Sequence, residues 1–135
     1  MSYTKLRKRL FEKNIKRFFE TSKSHLGASK FQSGFPALVL NYDEDDIMGG
    51  YYCHDLNEMQ INYQGWDDSV ECFEYYAKLV YHEFIHYHQS PAWFKRYYKM
   101  GHDYLSHPYE IEAYSKENEI LNIINYDNST ENETN

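Results

Sequence analysis

Apolar residues recur at helical spacing near the start of the chain. A helix over residues 3–25 would place four of them on one side: Leu6, Leu10, Phe18 and Phe19. Lys and Arg occupy the other positions, and Gly27 follows as a stop signal. This pattern predicts a basic amphipathic helix within residues 1–27.

Three short segments have the composition of β-strands. Residues 35–42 form an apolar run typical of a buried strand, and residues 49–54 and 58–63 form two strands joined by a short turn. These segments predict a small, mostly antiparallel sheet. We expect residues 59–63 to form its open edge, where an extended peptide can bind through backbone hydrogen bonds.

A second apolar stripe lies in a predicted helix over residues 67–89. Its members are separated by three or four positions: Val70, Phe73, Ala77, Val80 and Phe84. Asp67, Asp68 and Ser69 come first and can cap the helix, because their side-chain oxygens accept hydrogen bonds from its free amides. We expect the stripe to face the core.

Two prolines indicate where further helices begin. Pro91 follows the capping residue Ser90 and starts a short helix that ends at Gly101. Pro108 starts a helix that is predicted to run to Tyr126.

These elements predict an α+β fold. A small, mostly antiparallel three-stranded sheet would pack on the 67–89 helix, with the amphipathic helix before it and two helices after it. We expect a single domain over residues 1–126, because 135 residues suffice for one core, and a disordered polar tail over residues 127–135.

Charge is distributed unevenly along the chain. Residues 1–30 carry nine Lys and Arg against two Glu, and the rest carries five Lys and Arg against nineteen Asp and Glu. The body is too acidic for a nucleic-acid surface, so we expect the basic helix to present a solvated face. Without an apolar stretch of about 18 residues or a signal peptide, we expect a cytoplasmic protein with no membrane association. Cys53 and Cys72 are expected to be buried thiols and not a disulfide or zinc ligands.

The run His82-Glu83-Phe84-Ile85-His86 is the strongest candidate for chemistry. Residues four apart on a helix lie one turn apart on the same face, so His82 and His86 can share one tetrahedral metal ion. A carboxylate beside the first His can act as a general base toward water at that metal. The spacing predicts a zinc site with Glu83 as the catalytic residue.

A catalytic zinc usually takes three protein ligands and leaves one position for water. Five downstream residues are candidates for the third ligand: His102, Asp103, His107, Glu110 and Glu112. Glu110 and Glu112 lie two positions apart on one helix, about 200° around its axis, so only one of them can face the metal. Gln89 and Ala92 stand where a metzincin has Gly and His, which excludes that class.

The first motif followed by Tyr109-Glu110-Ile111-Glu112-Ala113-Tyr114 resembles the gluzincin metallopeptidases, in particular their small single-domain bacterial and phage forms. In that family, the third zinc ligand is a Glu three residues before a small residue on the next helix. The resemblance therefore implies that Glu110 completes the zinc site with His82 and His86, in a minimal zincin-like fold. Glu112 remains the alternative.

The chain departs from the family pattern at Tyr114. Members of the family often have Asp or Asn at this position, where it supports a His of the first helix. We expect the Tyr114 hydroxyl or Glu117 to take that role here.

Together these residues predict a metalloendopeptidase that hydrolyses a protein or peptide substrate. The oxyanion formed during hydrolysis would accept a hydrogen bond from one of three residues: Tyr104, His102 or His107. The alternative is a catalytically inactive zinc-binding interaction protein, in which His102 or His107 closes the fourth metal position. A helical domain without any metal is the remaining possibility.

Overall fold

A computed structural model describes residues 2–43, 45 and 49–124. Its elements are α1 (Tyr3–Leu26), β1 (Ala37–Asn41), β2 (Gly49–Cys53), β3 (Glu58–Asn62), α2 (Val70–Tyr87), α3 (Pro91–Lys99) and α4 (Pro108–Lys116). A further helical stretch covers residues 119–124. The predicted α+β class and the predicted order of elements are both confirmed.

Helix α1 begins after a serine cap and ends at the predicted Gly27. The Ser2 hydroxyl accepts a hydrogen bond from the Lys5 amide at 3.2 Å, and Gly27 ends the helix at a φ of 73°. The buried residues lie in its middle and its C-terminal part: Phe11, Ile15, Phe18, Phe19 and Ser22. Of the four apolar residues predicted to lie on one side of this helix, Phe18 and Phe19 are buried, whereas Leu6 and Leu10 are 47% and 38% exposed. The first turns of α1 extend beyond the core.

The sheet is mixed and not mostly antiparallel. Strand β3 lies in the middle, paired in parallel with β1 and antiparallel with β2. The predicted hairpin of β2 and β3 is confirmed, with Tyr52 opposite Met59. The prediction of an open edge at residues 59–63 was wrong, because β1 pairs with the side of β3 that the hairpin leaves free. The edges of the sheet are β1 and β2.

Helix α2 contacts α1, β2 and α4. The Ser69 hydroxyl caps it by accepting a hydrogen bond from the Cys72 amide at 3.1 Å. Residues 81–87 are all buried, so the last two turns of the helix are largely enclosed. Val70 is 69% exposed, which contradicts its predicted place in the buried stripe, because the first turn of α2 lies outside the core.

Helices α3 and α4 begin at the predicted prolines, Pro91 and Pro108. Helix α4 ends at Lys116 and not at Tyr126, and a turn separates it from the helical residues 119–124. Tyr126 and the predicted tail over 127–135 lie outside the described residues. In the described part of the chain, no helix is long and apolar enough to cross a membrane. Cys53 and Cys72 are both free thiols, but only Cys72 is buried as predicted, and Cys53 is partly exposed.

Candidate metal centre

Helix α2 brings the two histidines together. It is regular from Val70 to Tyr87, so residues four apart lie one above the other on its surface. The Nε2 atoms of His82 and His86 are 3.2 Å apart. Both side chains are buried, with 5% and 4% of their surface exposed. The site therefore lies at the edge of the core, largely shielded from solvent.

Helix α4 adds a carboxylate to this pair. His107 caps the helix by accepting a hydrogen bond from the Tyr109 amide at 3.1 Å, and Pro108 occupies the first turn. The first turn presents Glu110 inward, with Oε1 2.6 Å from His86 Nε2 and Oε2 3.5 Å from His82 Nε2. Burial acts to raise the pKa of Glu110, but hydrogen bonds and charge from the two histidines outweigh it and hold that pKa well below its usual range.

The three side chains fit a metal ion. One ligand atom from each of His82, His86 and Glu110 lies within 4.8 Å of the others. Bonds of about 2.0–2.1 Å in a tetrahedron place ligand atoms about 3.3 Å apart, close to the separations of His82 Nε2 from the other two residues. Glu110 Oε2 is buried and has no hydrogen-bond partner within the described residues, and a bound cation would satisfy it.

Within the described residues, the candidate metal site consists of His82, His86 and Glu110. Among residues 2–43, 45 and 49–124, no fourth His, Cys, Asp or Glu belongs to it. A site of this composition leaves one coordination position for water or substrate. The metal itself is not identified by this geometry.

A second layer of acceptors orients both histidines. His82 Nδ1 lies 3.0 Å from Glu117 Oε2, and His86 Nδ1 lies 2.7 Å from Gln89 Oε1. An acceptor at Nδ1 favours the tautomer in which the proton is on Nδ1 and the Nε2 lone pair is free for a metal. Of the two second-layer partners expected for the first helix, Glu117 is the one within hydrogen-bond distance of His82.

Gln89 is a functional candidate that the sequence did not reveal. Its side-chain amide also donates to the Tyr109 carbonyl at 2.9 Å and to Glu112 Oε1 at 3.0 Å, so it ties α2 to α4 at the site. The available signal was its spacing, because a residue three positions after His86 can reach that side chain. Glu112, the alternative third ligand, contacts Gln89 and is not part of the group of three.

Glu83 faces a cleft beside the two histidines. The cleft has a volume of about 260 Å³, and ten residues line it: Gly49, Gly50, Tyr75, Lys78, Leu79, His82, Glu83, Tyr104, Tyr114 and Glu117. Burial raises the pKa of Glu83, and the two histidines and a hydrogen bond from the Tyr52 backbone amide oppose that rise only in part. A carboxylate with a raised pKa in a cleft is a suitable proton acceptor near neutral pH.

Two tyrosines form one wall of the cleft. The hydroxyls of Tyr104 and Tyr114 are 2.7 Å apart, and the Tyr114 ring meets the His82 ring edge to face, with centroids separated by 4.6 Å. Burial, the hydrogen bond with Tyr114 and the nearby Glu110 raise the pKa of Tyr104, so its hydroxyl remains protonated and can donate. Tyr114 thus packs against the ligand ring at the position where an Asp or Asn was expected.

The remaining candidates have other partners. His107 is fully buried, with Nδ1 bonded to the Tyr109 amide and Nε2 2.9 Å from the Phe94 carbonyl. His102 Nδ1 lies 3.2 Å from the Ser106 hydroxyl, and Asp103 accepts a hydrogen bond from the Ser106 amide. None of the three belongs to the metal-binding group. Of the residues considered for the oxyanion, Tyr104 is the one that lines the cleft.

No known protein family, curated protein or solved structure matches this chain. The chemistry of the centre is therefore inferred from its own residues.

The contact between Gln89 and His86 gives a measurable expectation. The change Gln89→Leu should weaken binding of a divalent metal ion, with Zn²⁺ as the probe, by about 10- to 100-fold, because His86 loses the acceptor that orients its ring. Competition against a chromophoric chelator measures the affinity.

Gln64→Leu is the matched control, because Gln64 is exposed and does not line the cleft. Equal zinc affinity in Gln89→Leu and Gln64→Leu would mean that Gln89 does not support the metal ligand.

Proposed function

We propose that this protein is a zinc-dependent peptidase in which His82, His86 and Glu110 hold the metal and Glu83 is the general base. The observation that carries the proposal is the buried group of three beside a cleft that Glu83 lines. Two imidazoles and one carboxylate are the donor set of a catalytic zinc site, in which a fourth position stays open.

Zinc fits this donor set better than harder cations. Calcium and magnesium prefer six or more oxygen ligands, whereas two of the three donors here are imidazole nitrogens. A bound zinc ion would lower the pKa of a water molecule toward neutrality and polarise the carbonyl of the scissile bond.

Residues of the chain would carry the proton and stabilise the developing charge. Glu83 accepts the proton of the attacking water and passes it to the leaving amine, which suits a carboxylate whose pKa burial has raised. The Tyr104 hydroxyl donates a hydrogen bond to the oxyanion, because it lines the same cleft and remains protonated. Glu117 and Gln89 keep the two histidines oriented.

Strand β2 is the edge along which a peptide would bind. Gly49 and Gly50 line the cleft, and the Tyr52 amide donates to Glu83. Backbone groups of alternate residues point to the same side of a strand, so Gly50 would offer its peptide groups to a substrate on the side that faces Glu83. This role replaces the one expected for residues 59–63.

A zincin-like arrangement is part of the proposal. Helix α2 contacts β2 and α4, so the metal-binding helix, the edge strand and the helix that supplies the third ligand are neighbours. The likeness to gluzincins rests on the two sequence motifs and on this arrangement.

A catalytically inactive zinc-binding protein is less well supported. Such a site would need a fourth protein ligand, and His102 and His107, the candidates for it, are bonded elsewhere. The general base would also have no use in an inert site.

Metal analysis and a peptidase assay on the same preparation test the proposal. Purified protein is expected to hold one zinc per chain and to cleave an unfolded protein. Chelation should abolish cleavage, and added zinc should restore it. Zinc-loaded protein that leaves every unfolded substrate intact would contradict the proposal.

A further inference from the structure

The cleft contains a lysine that the proposed chemistry does not use. Lys78 is half-buried and lies one turn of α2 before His82. Among the ten residues that line the cleft in the described part of the chain, it is the only Lys or Arg.

No ion pair or hydrogen bond of Lys78 occurs within the described residues. Glu74 stands four positions earlier on α2, where a Glu commonly pairs with a Lys, yet the pair does not form. The cleft carboxylate Glu117 already bonds His82 Nδ1 at 3.0 Å. The ammonium group of Lys78 is therefore available to a substrate.

The position of Lys78 corresponds to a residue next to the scissile bond. One helical turn, about 5.4 Å, separates it from His82 along α2. An extended peptide advances about 3.3–3.6 Å per residue, so a peptide that runs along the cleft parallel to α2 would place a side chain one or two residues from the scissile bond opposite Lys78.

The wall facing this end of the cleft leaves room for a side chain. Gly49 has a φ of +108°, and a Cβ built there would lie 3.4 Å from the Tyr75 hydroxyl. A larger residue would fill the space between β2 and α2. Gly49 keeps this end of the cleft open. Its positive φ is a backbone conformation that residues with a Cβ rarely adopt, so substitution of Gly49 would be unfavourable.

Charge in the site also permits an acidic group at this position. Glu83, Glu110 and Glu117 contribute three negative charges when ionised, and a divalent cation would leave one uncompensated. Lys78 balances that charge. A substrate carboxylate placed on Lys78 would therefore form a charge-assisted pair without facing an excess of negative charge.

We infer that Lys78 binds the acidic side chain of a substrate residue that flanks the scissile bond, so that the protein prefers peptides with Asp or Glu there. The inference rests on the proposed peptidase function and adds the substrate class.

Paired peptides with amidated C-termini test this preference. The cleavage position is first located by mass spectrometry on a digested unfolded protein. Two peptides are then made that differ only by Glu or Gln at the flanking residue. Wild-type protein should cleave the Glu peptide with a kcat/KM about fivefold higher, the upper end for a partly exposed ion pair.

Substitutions of Lys78 should change the preference in a predictable direction. Lys78→Met should make the two peptides equal, Lys78→Arg should keep the preference for Glu, and Lys78→Glu should reverse it toward a Lys peptide. Lys16→Met, at an exposed position on α1, is the control and should behave as wild type. If Lys78→Met lowers the rate on both peptides by the same factor, the preference for Glu is unchanged and the inference is overturned.

A binding measurement separates this inference from the proposed function. Zinc-loaded Glu83→Gln protein is titrated with the same fluorescent peptides, and anisotropy reports their affinities. A Lys78-dependent preference for Glu in binding supports the inference even if wild-type protein cleaves nothing. If the Glu and Gln peptides bind with equal affinity and are cleaved at equal rates, the role of Lys78 is overturned. The proposed peptidase function would still be supported by the cleavage.

Discussion

Replacing Glu83 with Gln is expected to lower the rate of peptide hydrolysis by about 10²- to 10⁴-fold, the usual contribution of a general base. The amide of Gln occupies the same space as the carboxylate but cannot accept the proton of water. Glu83 does not belong to the group that could hold the metal, so zinc affinity should remain close to that of the wild type. The measurement is kcat on a peptide substrate, together with a chelator titration of zinc.

The same change should leave the fold intact. Burial raises the pKa of Glu83, so the folded protein disfavours its charged form, and a neutral Gln removes this unfavourable contribution at neutral pH. The Gln side-chain oxygen can still accept the hydrogen bond from the Tyr52 amide. The melting temperature should therefore stay equal or rise, which separates lost catalysis from lost structure.

Glu74→Gln provides the matched control for Glu83→Gln. Glu74 lies on the same helix, is exposed and does not line the cleft. Its substitution should leave kcat unchanged. Activity that persists in Glu83→Gln would mean that another group accepts the proton.

Removal of the proposed third ligand, Glu110, is expected to have the largest effect on metal binding. Glu110→Ala should weaken zinc affinity by more than about 100-fold, beyond the range for residues that only support a ligand. Glu110 supplies the carboxylate that lies 2.6 Å from His86 Nε2 and also the unsatisfied oxygen Oε2. The two histidines alone would hold the ion weakly.

The loss of zinc affinity in Glu110→Ala should also change how zinc affects the melting temperature. A ligand at a thousand times its dissociation constant stabilises the folded state by about 4 kcal/mol. For a domain of this size that corresponds to a rise of roughly 10–20 °C in melting temperature. Wild-type protein should show this rise on addition of zinc, and Glu110→Ala should not.

Glu112→Ala is the matched control on the same helix. Glu112 accepts a hydrogen bond from Gln89 and lies outside the group of three, so this variant should keep most of the zinc-dependent rise. The opposite result, with Glu112→Ala insensitive to zinc and Glu110→Ala stabilised by it, would assign the third ligand to Glu112.

Local signals account for what could be predicted about the helices. Ser2, Ser69 and Ser90 cap three helices, and Pro91 and Pro108 start two of them, because each residue meets the needs of a free helix end in its own neighbourhood. A turn at Glu117 and Asn118 separates α4 from the helical residues 119–124, and there the predicted helix is too long. Exposure of Leu6 and Val70 was also missed, because periodicity defines a face but not how far the core extends along it.

The sequence by itself determined the spacing of the first motif. Four residues on a helix place His82 and His86 on one face whatever surrounds them, with Glu83 beside the first. The order of the elements and the β2–β3 hairpin follow in the same way, because they depend on contacts between residues that are close along the chain.

Only the tertiary structure decided which distant residues complete the centre and which strand borders it. Periodicity allowed Glu110 or Glu112 to face the histidines, and the packing of α4 against α2 brings Glu110 to 2.6 Å from His86. Parallel pairing with β1 makes β3 central and leaves β2 as the edge beside the cleft. Glu117 reaches His82 through the same packing. The choice of ligand and of edge strand depends on how separate elements pack against each other, and this packing cannot be derived from spacing along the chain.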